Sequence, residues 1–102
     1  MGTNRRYADS VDAQTNQRVI EILMRDYKPH SLTKDELELH VEPLTKTPVP
    51  RPVRAWVRYG DMAVKVDGEA VAWTPRAVAV SWETPDGRPQ RAWLWSSAVE
   101  GR

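Results

Sequence analysis

The chain has 102 residues, with 15 basic against 14 acidic side chains, a net charge of +1, no cysteine and no phenylalanine. That length holds one domain, or one domain with a helical appendage, and a small core with little stability to spare. Without cysteine there are no disulfides, thiolate metal sites or thiol nucleophiles, and the near-even charge lacks the basic excess of a dedicated nucleic-acid protein.

The N-terminus, Met1-Gly2-Thr3-Asn4-Arg5-Arg6, has no apolar run behind it and reads as neither a signal peptide nor a myristoylation site. No stretch approaches the ~20 apolar residues of a membrane-spanning helix. The expected setting is cytoplasmic, with no membrane partner.

Leu and Ile lie almost wholly before residue 50, whereas all five tryptophans and most valines lie after it. Straight-chain and Leu-type residues suit helices, and β-branched and aromatic ones suit a pleated surface. The order is therefore helix first, sheet second. A first helix is predicted from about Ser10 to Tyr27, capped by Asp9 or Ser10, with Val19, Leu23 and Tyr27 on its apolar stripe and Ile20 and Met24 widening it. Pro29 ends it. A second helix is predicted from Lys34 to about His40. Thr33 and Glu36 form a capping box there, and Leu32 and Leu37 a hydrophobic staple.

Pro43 to Pro52 carries alternating prolines, which remove backbone donors and favour polyproline II, so it is expected as a stiff linker and neither helix nor central strand. Beyond it, period-two alternation marks strands at Val53 to Tyr59, Met62 to Val66, Glu69 to Thr74, Ala77 to Glu83 and Gln90 to Trp95. Pro85-Asp86-Gly87 is the clearest turn. Asp67-Gly68 reads as a turn, or as a bulge inside one long strand with glycine at positive φ. The expected organisation is a helical arm over 1–42, a linker over 43–52 and a β-domain over 53–102.

The run Val71-Ala72-Trp73-Thr74, Ala77 to Trp82, Pro85-Asp86-Gly87 and Trp93 to Val99 resembles an SH3-like barrel of the Tudor type. The resemblance implies a 3₁₀ turn at Ser96 to Ala98 and a brief last strand. The fold class expected is therefore α+β: N-terminal helices followed by a five-stranded antiparallel SH3-like barrel. The whole chain is also similar to short actinobacterial and mobile-element proteins of unknown function. Tudor-type domains often bind modified lysine or arginine in an aromatic cage. Here the tryptophans sit mid-strand, so that cage is not carried over.

Trp93 and Trp95 share one strand face with Arg91, and Trp56 shares another with Arg54 and Arg58. Val53, Ala55, Val57, Ala92 and Leu94 point the opposite way. The six residues Arg54, Trp56, Arg58, Arg91, Trp93 and Trp95 are the candidate binding surface. The competing reading buries the same tryptophans under the first helix or in a homodimer. Glu36, Glu38, His40 and Glu42 alternate, a spacing that does not share a helix face, so a solvated acidic face is expected rather than a metal site. No serine sits in a nucleophile elbow, no glycine-rich phosphate loop is present, and the acids at turns serve hairpin geometry. The expectation is a non-enzymatic protein without cofactor or metal that engages a protein partner or itself. The alternative is a nucleic-acid accessory protein using Arg51, Arg54, Arg58, Arg88 and Arg91 around the tryptophans.

Overall fold

The computed structural model describes residues 18–102. Helix α1 occupies 18–26 of these residues. A single turn, α2 (Lys34–Leu37), follows. Strands β1 (Thr45–Tyr59), β2 (Met62–Trp73), β3 (Ala77–Glu83) and β4 (Pro89–Trp95) then lead into a 3₁₀ turn (Ser96–Ala98) and β5 (Val99–Gly101). All neighbours are antiparallel, in the order β4-β3-β2-β1-β5.

This corrects the expected fold class. Strand accounts for 53% of the described residues and helix for 19%, so the molecule is chiefly a sheet, and that sheet is not a closed barrel. The helices expected at 10–27 and 34–40 are not supported as drawn. The N-terminal part of the first, its caps at Asp9 or Ser10 and the Arg5–Arg6 pair lie outside the described residues. The second is one turn long because Glu38 adopts a left-handed conformation (φ 50°) and stops it.

The sheet stays open because something other than a strand ladder spans β1 and β4. The segment after α1 crosses between them: His30 N donates to Arg58 O of β1 (2.8 Å), and Leu32 N donates to Trp93 O of β4 (2.9 Å). Ser31 Oγ accepts from Trp93 N at 2.9 Å. Backbone groups that closure would have satisfied are thus bonded to this strap.

The proline-rich stretch, expected outside the sheet, forms the N-terminal half of β1 in all but Pro43 and Leu44. It tolerates prolines because the ladder with β2 breaks its register between Lys46 and Arg51, while β5 pairs only with Val53 to Ala55. Pro48 and Pro50 therefore fall in the irregularity, where no donor is required. Asp67-Gly68 is no turn either: β2 runs straight through it.

The main core lies on the concave face. It includes Val53, Ala55, Val57 and Tyr59 from β1, Val64, Val66 and Ala70 from β2, and Val80, Trp82, Ala92 and Leu94 from the β3–β4 hairpin. Alanines at 55, 70 and 92 belong to this cluster, which Leu23 and Met24 of α1 complete, with Ile20 at the margin. The buried stripe of α1 is thus Ile20/Leu23/Met24, at i, i+3 and i+4. Val19 and Tyr27, expected on that stripe, are exposed. A satellite core on the convex side joins Leu32, Leu37 and Ala77 under Trp93. The capping box holds this turn in place: Thr33 Oγ1 accepts from Glu36 N (3.2 Å), and Glu36 Oε1 accepts from Thr33 N (2.9 Å).

Candidate functional site

The pleat sends Arg54, Trp56 and Arg58 to the convex face of β1, and Arg91, Trp93 and Trp95 to the convex face of β4, while their neighbours are buried. β1 and β4 are separated by two strands in the sheet order. Curling of the sheet nevertheless brings them to one groove of about 260 Å³, lined by His30, Leu32, Glu36, Trp56, Arg58, Trp93, Leu94, Trp95 and Ala98. Four of the six residues singled out from sequence, Trp56, Arg58, Trp93 and Trp95, therefore meet there. Arg54 and Arg91 do not. Arg54 lies on the far side of Trp56 and is bonded to Asp67 at 2.8 Å. Arg91 lines a separate groove of about 420 Å³ together with Lys46, of which Trp93 is the shared wall.

The three indoles differ in exposure. Trp56 is 50% exposed and Trp95 37%, whereas Trp93 is partly covered by the Leu32/Leu37 cluster. The competing expectation, that the first helix covers these tryptophans, is not met by the described part of α1, whose Leu23 and Met24 enter the main core on the other face.

Cations hold the exposed rings. Lys65 Nζ lies 5.3 Å from the centroid of Trp56, and the Arg76 guanidinium 5.6 Å from that of Trp95. Each cation is itself anchored, Lys65 on Glu100 at 3.5 Å and Arg76 on Glu38 at 3.2 Å. Sequence reasoning missed both, although one signal was available. A two-residue Gly60-Asp61 turn pairs Tyr59 with Met62 and hence Trp56 with Lys65, as observed.

The acidic series expected as a solvated face has defined partners. Glu36 closes the capping box, while Glu38 and Glu42 flank Arg76 at 3.2 and 4.0 Å. Among the described residues no group of three or more His, Asp or Glu side chains is placed to hold a metal. No helix among them is long and apolar enough to cross a membrane.

Two carboxylates are tuned by neighbours. The hydrogen bond from Arg54 holds Asp67 below its ordinary range. The Thr84 hydroxyl, ahead of Arg88, does the same for Asp86. A carboxylate whose folded pKa lies below its unfolded value stabilises the fold above the unfolded value of about 4, and loses that contribution as pH falls through the folded one. Both groups are exposed, so the effect is small. Urea midpoints should fall as pH is lowered below about 4, and the fall should be shallower in Asp67→Asn and Asp86→Asn. A wild-type acid limb indistinguishable from that of the double variant would contradict these pairings.

No protein-family model, curated protein or solved structure matches the chain.

Proposed function

We propose that the chain is a non-catalytic, cytoplasmic protein-interaction module whose contact surface is the groove between β1 and β4. One observation carries the reading: Trp56 and Trp95, large apolar rings half or a third open to water, stand in one concavity with Trp93 and Arg58. Trp and Arg are the residues most often responsible for binding energy at interfaces, and fixed rings lose little entropy when a partner seats on them. The meander order and the 3₁₀ turn before β5 support the Tudor-type likeness as strand order alone, and no ligand is taken from it.

The test compares the wild type with Trp56→Ser/Trp95→Ser. Both side chains lie outside the two core clusters, so the variant should remain folded by far-ultraviolet circular dichroism, with an unfolding midpoint lowered by the loss of the stacked Lys65 and Arg76 contacts. Against a lysate of the source cells, and by light-scattering mass, the wild type should retain a protein or self-associate, and the variant should weaken that by about tenfold or more. A wild type that is strictly monomeric and partnerless, or a variant that binds equally well, would overturn the proposal.

The nucleic-acid reading draws less support. Of its five arginines, Arg54 is paired with Asp67 and Arg88 with Asp86, while Arg51 lies over Trp73 at 5.3 Å. DNA or RNA binding at ~50 mM salt that fades steeply as salt rises would favour it instead.

A further inference from the structure

We infer that the groove takes an extended, acidic peptide segment, which seats a large apolar side chain among the three indoles and a carboxylate on Arg58. This rests on the interaction-module reading and names its ligand.

Charge complementarity sets the sign. Two cations beside the groove are already paired, Arg76 with Glu38 and Lys65 with Glu100, while Glu36, whose Oε1 accepts from the uncharged Thr33 N–H, keeps its negative charge. Arg58 likewise forms no ion pair among the described residues, so the groove's own lining carries one unpaired cation and one unpaired carboxylate, and the adjoining groove tips the balance toward cations. Beyond Trp93, Lys46 and Arg91 line the adjoining groove, and among the described residues they too form no ion pair. An extended chain crossing Trp93 thus meets cations at both ends. A guanidinium or ammonium ligand is disfavoured on the same grounds, because Lys65 and Arg76 already stack on Trp56 and Trp95.

Size and backbone access narrow the mode. About 260 Å³ falls below the range of drug-sized ligand sites and suits one or two side chains of a longer ligand. At Trp93 the outer edge of β4 is already bonded to Ser31 and Leu32, so side-chain insertion rather than strand addition is the mode there. A nucleic-acid strand needs a track of cations for its phosphates. Arg58, Lys46 and Arg91, divided between two grooves, do not form one.

The test is selection of a random twelve-residue peptide display library on the immobilised full chain, followed by fluorescence polarisation with the enriched peptides. Enriched sequences should place Asp or Glu within a few residues of Leu, Phe or Trp. Their affinity should fall by about tenfold in Arg58→Glu, less in Arg91→Glu, and stay within about twofold in the charge control Arg18→Glu. Enriched peptides that are basic or neutral, yet lost in Trp56→Ser/Trp95→Ser, would overturn the acidic ligand and leave the module reading standing. No enrichment, or binding indifferent to both sets of variants, would overturn both. Binding of a twelve-nucleotide oligothymidine that displaces the peptides would give the groove to nucleic acid and overturn the inference.

Discussion

Tyr59→Ala is expected to leave the protein largely unfolded in water. The Tyr59 side chain is fully buried, at 0% exposure, in the main core at the end of β1. Truncating a large buried aromatic to alanine costs about 3–5 kcal/mol. Its hydroxyl also accepts the hydrogen bond from Trp82 Nε1 at 3.1 Å, within the core. Losing that acceptor strands a buried indole N–H, at about 1–3 kcal/mol more. A small domain has about 5–15 kcal/mol in all, and one of this length belongs near the lower end. Tyr59→Phe keeps the ring and loses only the acceptor, so it should stay folded with its stability lowered by about 1–3 kcal/mol. Urea titrations followed by far-ultraviolet circular dichroism separate the two. A Tyr59→Ala protein as stable as Tyr59→Phe would mean that the ring does not fill the core as described.

Gly68→Ala is the second large effect, and it comes from a different cause. A Cβ built at Gly68 would lie 2.3 Å from the backbone carbonyl oxygen of Ser81 and 3.1 Å from Trp82 Cβ. The first obstacle is backbone, so β2 and β3 would have to part where Glu69 pairs with Ser81. The same shift would disturb the Gly68 carbonyl, which accepts from the Arg102 guanidinium at 3.1 Å. Forcing extra volume into such a site costs up to about 3 kcal/mol. Gly87 is the internal control. It has φ 84°, but a Cβ there meets nothing within 4 Å, so Gly87→Ala should cost only the left-handed penalty of about 1–2 kcal/mol. If Gly87→Ala were the more damaging of the two, the close approach of β2 to β3 would be refuted.

The contrast between these glycines shows what the sequence could and could not reveal. Gly87 follows Pro85-Asp86, and that local chemistry identifies a turn without reference to any other part of the chain. Gly68 follows an aspartate in the same way and suggests a turn or a positive-φ bulge. Its φ is not positive; the reason for glycine is a strand that arrives from residues 81–82, which no local window contains. Other local signals read well: the Thr33/Glu36 box, the Leu32/Leu37 staple, and the alternation that buries Val53, Ala55 and Val57 while turning Trp56 outward.

Features set by distant partners were hidden. Prolines 48 and 50 look incompatible with a strand until the missing outer neighbour and the broken register are known. The strap of His30 to Leu32 that spans β1 and β4 works through backbone groups on Arg58 and Trp93, which carry no side-chain signature. The groove depends on that strap and on the sheet's curl, so its residue types were legible and its membership was not. Arg54 and Arg91 share strand faces with the tryptophans by alternation, yet the curl directs them to other grooves.

Hydrogen exchange of the five indole Nε1–H groups, followed by ¹⁵N-resolved NMR on the full chain, tests the central claim most directly. Trp82 should exchange slowest, since its N–H is buried on Tyr59, and Trp56 and Trp95 should exchange much faster than Trp82. If Trp56 and Trp95 were protected as strongly as Trp82 in the isolated monomer, the groove would be filled by the chain itself, and neither the module nor its acidic ligand would stand.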